Sequence, residues 1–177
     1  MSRLGSEEEK HKMAATVQTW EMTAAASGVN KTSGTVRFKT ADDTAADTNA
    51  RLQIPASGGA NEISYTKQLR FYFSTAPSVD IQNLRAYTDG GSFVDTAVLV
   101  NHALSGSFGA NVDTLITGTG FFTKTSGSPA DLDAINVGPH TGTGFKGDFL
   151  NLQCIVTSAA SAGQLTAETV TFSYDET

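Results

Sequence analysis

The segment 62–74, EISYTKQLRFYFS, constrains the fold more than any other part of the chain. Its large apolar side chains recur at every second residue, most clearly at Leu69, Phe71 and Phe73. A strand places alternate side chains on one face, whereas a helix needs an apolar spacing of three or four residues. The segment therefore predicts a β-strand with one buried face.

The rest of the chain favours the same class of structure. Shorter strand-like patterns occur between turn signals rich in Gly, Ser and Asn, among them VQTWEMT, TVRFKT, RLQIP and FLNLQCIV. No stretch shows a convincing helical period. We predict an all-β fold, an antiparallel β-sandwich of eight or nine strands and jelly-roll-like, with Gly-rich loop excursions over 105–147. The last two strands are predicted to form a hairpin around the loop SAASAG.

Length and charge limit the domain organisation and the partners. The chain has 177 residues and a net charge of −6, with 12 Lys and Arg scattered along it. Binding to nucleic acid or to an anionic membrane requires clustered basic residues, and an apolar run of about 20 residues is needed to span a bilayer. The sequence shows neither, so we expect one β-sandwich domain over 13–177 that contacts no nucleic acid and no membrane.

The first twelve residues, MSRLGSEEEKHK, differ from the rest of the chain because they are charged and lack an apolar period. Codons for Glu7, Glu8 and Glu9 can contain the purine-rich core of a bacterial ribosome-binding site, with Met13 after three further codons. We therefore predict that 1–12 are a disordered, translated leader before a native start at Met13. The alternative is an N-terminal arm that docks on a partner.

The segment 142–147 matches the pattern G-x-G-x-x-G of phosphate-binding loops. Such a loop requires a following helix, whose N-terminus holds the phosphate, but the strand-like FLNLQCIV comes next here. The predicted role is a turn or bulge in which glycines adopt positive φ. The string TGTGF also occurs at 117–121, and we expect Phe121 and Phe145, the aromatics ending the two copies, to re-enter the core.

Two groups of carboxylates are candidate cation ligands. Asp42, Asp43 and Asp47 lie in one predicted loop, and Asp131 and Asp133 lie in another. Calcium takes six to eight oxygen ligands from such loops, but the spacing of an EF-hand is missing. Solvated turn carboxylates are the alternative interpretation.

No catalytic signature or cofactor motif occurs in the sequence. The histidines, His11, His102 and His140, show no spacing typical of a zinc site or a catalytic pair and are expected at the surface. Cys154 lies in an apolar strand and is expected to be buried. Trp20 and the tyrosines could form a sugar-stacking face, although their spacing is more typical of sheet packing. We predict a protein that is not an enzyme and needs no cofactor.

Four segments together resemble small structural proteins of tailed bacteriophages: TVQTWEMT, TSGTVRFKTADD, ISYTKQLRFYFSTAPSVDIQNLRAYTDGG and ETVTFSYDE. The resemblance covers most of 16–176. It implies a virion protein assembled in the bacterial cytoplasm, most simply a capsid decoration (cement) protein that bridges capsomers. The implied partners are the major capsid protein and further copies of the chain, for example in a trimer.

The resemblance does not assign the interface to residues. Candidates are Val17 and Thr19 in the N-terminal stretch, and Phe121 and Phe145 in the Gly-rich excursions. The alternative function is a tail-fibre or head-fibre module that binds a host carbohydrate or receptor through the loops 40–49 and 128–142. Calcium bound by the loop carboxylates would assist that function.

Overall fold

The computed structural model describes residues 14–91, 93, 95–163 and 165–177. Over these residues the chain forms strands and a single 3-10 turn, which confirms the all-β prediction. The elements are β1 (Thr16–Ala24), β2 (Ser27–Asn30), β3 (Glu62–Ile63), β4 (Lys67–Thr75), β5 (Ile81–Tyr87), β6 (Val98–Ser105), β7 (Thr119–Gly120), the 3-10 turn Phe121–Thr123, β8 (Ala130–Asp131), β9 (Gly144–Val156) and β10 (Thr171–Glu176).

The strands form two antiparallel sheets. The larger sheet has seven strands in the order β2-β1-β4-β9-β6-β7, with β3 also paired to β9, and the smaller sheet has the order β10-β5-β8. Apolar side chains of both sheets share one core, in which the rings of Phe71 on β4 and Phe172 on β10 lie 5.2 Å apart. These contacts confirm an antiparallel sandwich, while the jelly-roll topology stays a prediction.

Strand β9 is buried along most of its 13 residues because both of its faces are covered. Leu150 and Leu152 point into the core between the sheets. On the opposite face, Gln153 donates to Thr114 O at 2.9 Å and accepts from Ile116 N at 2.9 Å. The Gly-rich excursion after β6 therefore lies over the outer face of the larger sheet, which explains the nearly continuous apolar character of β9.

Three local predictions are wrong. Strands β9 and β10 form no hairpin, because β9 is paired on its two edges by β4 and β6 and β10 pairs with β5 in the other sheet. The segment RLQIP at 51–55 forms no strand, and neither does TVRFKT at 35–40. Its alternating residues Val36 and Phe38 still pack against the core, so the apolar pattern reports burial there and not strand pairing.

The glycines of 142–147 form a bulged entry to β9, as predicted. Gly142, Gly144 and Gly147 have φ of 69°, 101° and 67°, and the register between β4 and β9 shifts beside them. No helix comes after them, which removes the basis for a phosphate site. Phe121 re-enters the core as expected. Phe145 does not, because it lies half-buried beside Trp20 on the outer face of the larger sheet.

Candidate functional site

Strand β10 forms one end of the smaller sheet, and within the described residues one of its edges has no partner strand. At its other edge Thr177 N donates to Asp80 O at 3.1 Å, in register with the pairing to β5. Backbone groups alternate in direction along an antiparallel strand. The N–H and C=O groups of Phe172 and Tyr174 therefore point away from β5, and no strand of the described chain pairs with them.

A hollow of about 170 Å³ lies beside this edge, and we call it the edge slot. It is lined by Val17, Thr19, Thr32, Phe71, Val170, Phe172 and Tyr174. Its floor is aromatic, because the rings of Phe172 and Tyr174 pack edge-to-face against Phe71 at 5.2 and 6.4 Å. Pockets that enclose small-molecule ligands measure roughly 300–1,000 Å³, so the slot suits a few small side chains better than a nucleotide or sugar.

The opposite wall of the edge slot is the first half of β1. Thr19 N donates to Thr32 Oγ1 at 3.0 Å, and Thr19 O accepts from Lys31 N at 2.8 Å. By the same alternation, the backbone groups of Val17 also point away from β4, and β2 pairs with β1 only from Trp20 onward. The structure thus brings Val17 and Thr19, two candidates from the sequence, beside β10.

The other two interface candidates lie elsewhere. The Phe121 side chain is 1% exposed and packs near His102, so it offers no surface to a partner. Phe145 forms a cluster with Trp20 and Tyr72, with ring centroids 4.9–5.6 Å apart. The rings meet at angles of 39–86°. Such tilted and edge-to-face contacts stabilise the cluster itself.

The first group of candidate cation ligands surrounds a lysine. The buried ammonium group of Lys39 lies 2.8 Å from Asp43 Oδ1 and 2.6 Å from Asp47 Oδ1. These hydrogen bonds hold the pKa of both carboxyl groups below their usual range and raise the pKa of Lys39. Asp42 turns away and accepts from Asn111 Nδ2 at 2.7 Å. The lysine thus occupies the place that a cation would take between Asp43 and Asp47.

The second group of carboxylates organises a turn. Asp133 accepts from Leu84 N at 3.0 Å and lies 2.6 Å from His140 Nε2, while Asp131 accepts from Asp133 N at 3.0 Å. Across the residues that the structure covers, no three His, Cys, Asp or Glu side chains converge in a way that could hold a metal ion. These hydrogen bonds fix the loop between β8 and β9 against β5.

Two histidines and the cysteine are buried. His102 and His140 are 7% and 9% exposed, so the expectation of surface histidines is wrong for both, and His11 lies outside the described residues. His102 Nδ1 lies 2.8 Å from Thr119 O, and burial lowers the pKa of His102. The prediction of a buried Cys154 is confirmed, and burial raises the pKa of its thiol to about 12. This thiol is protonated at neutral pH and is not a nucleophile.

Comparison with models of known protein families, with characterised proteins and with solved structures finds no match for the chain. Within the described ranges no helix is long and apolar enough to cross a membrane. The edge slot and the open edge of β10 therefore provide the basis for a functional conclusion, together with the resemblance in sequence.

Proposed function

We propose that this chain is a non-enzymatic structural protein of a tailed-bacteriophage virion, a capsid decoration (cement) protein that attaches to the head shell by strand addition at β10. The open edge of β10 beside the edge slot is the observation that carries the proposal. An unpaired strand is a template for an extended segment of another chain. The sequence resemblance supplies the phage context.

The attachment would be weak for one copy and strong for the shell as a whole. The six residues of β10 span about 20 Å, which supports an interface near the small end of specific interfaces. Many copies that bridge neighbouring capsomers would add their contributions through multivalency. The net charge of −6 would keep free subunits soluble and away from packaged DNA.

A non-enzymatic role is consistent with how the reactive side chains are used. His140 and Asp133 bind each other and the backbone of a turn. Cys154 is buried as a protonated thiol. The edge slot is smaller than a typical substrate pocket.

A receptor-binding module of a tail or head fibre is the second candidate function. Ile135 and Val137 favour it, because their side chains are 56% and 73% exposed in the loop 128–142. Two exposed apolar side chains close together on a loop are suited to contact with a host receptor.

The first experiment counts copies of the chain in purified particles that carry its gene. Mass spectrometry would compare its amount with that of the major coat protein. Hundreds of copies per particle are expected for capsid decoration. A handful of copies would favour the fibre module, and absence from the particles would reject a virion role altogether.

A second experiment locates the attachment surface. Particles that lack the chain would be incubated with the purified protein, with V17K and with V137K. The variant V17K should not attach, because its long, charged side chain would fill the edge slot that the added strand enters, while V137K should attach normally. The opposite result would move the contact to the loop 128–142. Thermal unfolding of each variant would show that it remains folded.

A further inference from the structure

The backbone groups on the open edge of β10 set the geometry of an added strand. Phe172 and Tyr174 each present an N–H and a C=O, and alternate residues of a strand lie about 6.6 Å apart. These four groups match the backbone of one extended segment. In the described chain they have no backbone hydrogen-bond partner.

The opposite wall limits the side chains that such a segment carries. Val17, Thr19 and Thr32 line the edge slot opposite β10, and its volume is about 170 Å³. Residues of the added strand that point inward must therefore be small, such as Val, Thr or Ala. A strand of large aromatic residues would collide with the β1 wall.

Both ends of the open edge are acidic. Glu176 is exposed at one end, where its Oε1 accepts from Ala15 N at 3.0 Å. Asp175 beside it is paired with Arg85 at 3.1 Å, so Glu176 is the carboxylate at this end that has no ion-pair partner within the described residues. Glu168 precedes the strand in the sequence, three residues before Thr171 and two residues before Val170 of the slot. The edge therefore has an apolar centre between two carboxylates.

This charge pattern argues against pairing with a second copy. Antiparallel pairing of two β10 strands about Ser173 would place Glu176 of one copy opposite Val170 of the other, close to its Glu168. Like charges this close across a sheet are destabilising.

We infer that the edge slot binds an extended segment of a partner protein that has small β-branched residues in its centre and a Lys or Arg at each end. The inference rests on the proposed function, because it specifies the chemistry of the coat segment to which the protein attaches. The basic ends would face Glu168 and Glu176, and the central side chains would fill the slot. Opposite charges would select this partner and speed its association.

A synthetic peptide tests the inference without particles. The probe is acetyl-Lys-Thr-Val-Thr-Val-Thr-Val-Thr-Lys-amide, whose two lysines are eight residues apart in sequence, as Glu168 and Glu176 are. The control peptide has glutamate in place of both lysines. At low salt the lysine peptide should bind at least about tenfold more tightly than the control, and high salt should reduce the difference.

Matched variants and hydrogen exchange locate the binding. The double variant E168K/E176K should reverse the preference between the two peptides, while D89K/D113K, with the same change in net charge at exposed positions, should keep it. Bound peptide should slow exchange of the Phe172 and Tyr174 amides about tenfold or more.

Each contrary outcome has a definite meaning. If neither peptide binds the folded protein, or binding leaves the amides of Phe172 and Tyr174 unprotected, the inferred strand site is wrong. Equal binding of the two peptides would overturn its charge selectivity. If these tests fail while particles carry hundreds of copies, the inference falls and the proposed function stands. If the protein binds the peptide but is absent from particles, the strand site stands and the proposed virion function falls.

Discussion

Replacing Lys67 by methionine removes one of two ammonium groups that contact the buried carboxylate of Glu21. Lys67 Nζ lies 3.1 Å from Glu21 Oε1, and Lys31 Nζ lies 3.3 Å from Glu21 Oε2. Lys67 also donates to Asp43 O in the loop after β2. The side chains of Glu21 and Lys67 are both 2% exposed, so neither charge is solvated when its partner is lost.

The expected cost comes from this burial. Removing one partner of a buried ion pair destabilises a protein by about 3–5 kcal/mol, because the other charge stays buried without compensation. Lys31 still faces Glu21 in K67M, so we expect about 3 kcal/mol for that variant. The variant E21L leaves two buried ammonium groups without their shared carboxylate and should cost at least as much. The double variant should lose less than the sum, with a coupling energy of about 2 kcal/mol.

Urea unfolding at pH 7, monitored by the fluorescence of the single tryptophan, measures these free energies. The control is K146M, which removes a lysine whose Nζ makes an exposed hydrogen bond to Thr141 O, and it should change stability by less than about 1 kcal/mol. If K67M and E21L each cost less than about 1 kcal/mol and their effects add, the three charges are solvated and the reasoning from burial is refuted.

Three further predictions concern a glycine, the cysteine and a histidine. The variant G147A should lower the free energy of unfolding in urea by about 2–4 kcal/mol, because φ is 67° and the new Cβ would lie 2.7 Å from Leu132 O. The control G142A has φ of 69° but open space around the new Cβ, so it should lower the free energy of unfolding by only about 1 kcal/mol. Cys154 should react with a thiol reagent in urea but not in the native protein at pH 8, because its pKa is about 12; rapid native labelling would contradict its burial. The pKa of His102 is lowered by burial, so below the ordinary value of 6.5 the unfolded chain binds a proton that the folded chain does not. The free energy of unfolding should therefore fall between pH 7 and pH 5 by a larger amount in the wild type than in H102Q. Equal pH profiles of the two proteins would remove His102 as the cause.

The sequence predicts those parts of the fold that depend on local alternation. Strand β4 is predicted directly by the spacing of Leu69, Phe71 and Phe73. The same register also carries a signal that sequence reasoning missed, because it places Lys67 on the buried face. A lysine on the core register needs a buried counter-charge. Glu21, which shares a face of β1 with Val17 and Thr19, is that partner.

The edge slot could not be predicted because it depends on contacts between distant segments. Nothing local in TFSYDE distinguishes pairing with β9, its neighbour in sequence, from pairing with β5, about 90 residues earlier. The order of strands decides which edge lacks a partner strand. It therefore also decides whether Val17 and Thr19 lie beside that edge and can belong to an interface. The exclusion of Phe121 likewise required the packing of its ring against His102.

The acidic ends of the open edge reconcile two demands on a protein of this kind. An unpaired strand in a soluble protein invites pairing between copies, and natural sheets oppose this with charges and bulges at their edges. On our proposal, Glu168 and Glu176 would repel a second β10. The register between β10 and β5 also shifts beside Asn83 of β5, which has φ of 54°. The same carboxylates attract a strand with basic ends. On our proposal, the charges that keep free copies apart before assembly also select the coat segment to which they attach.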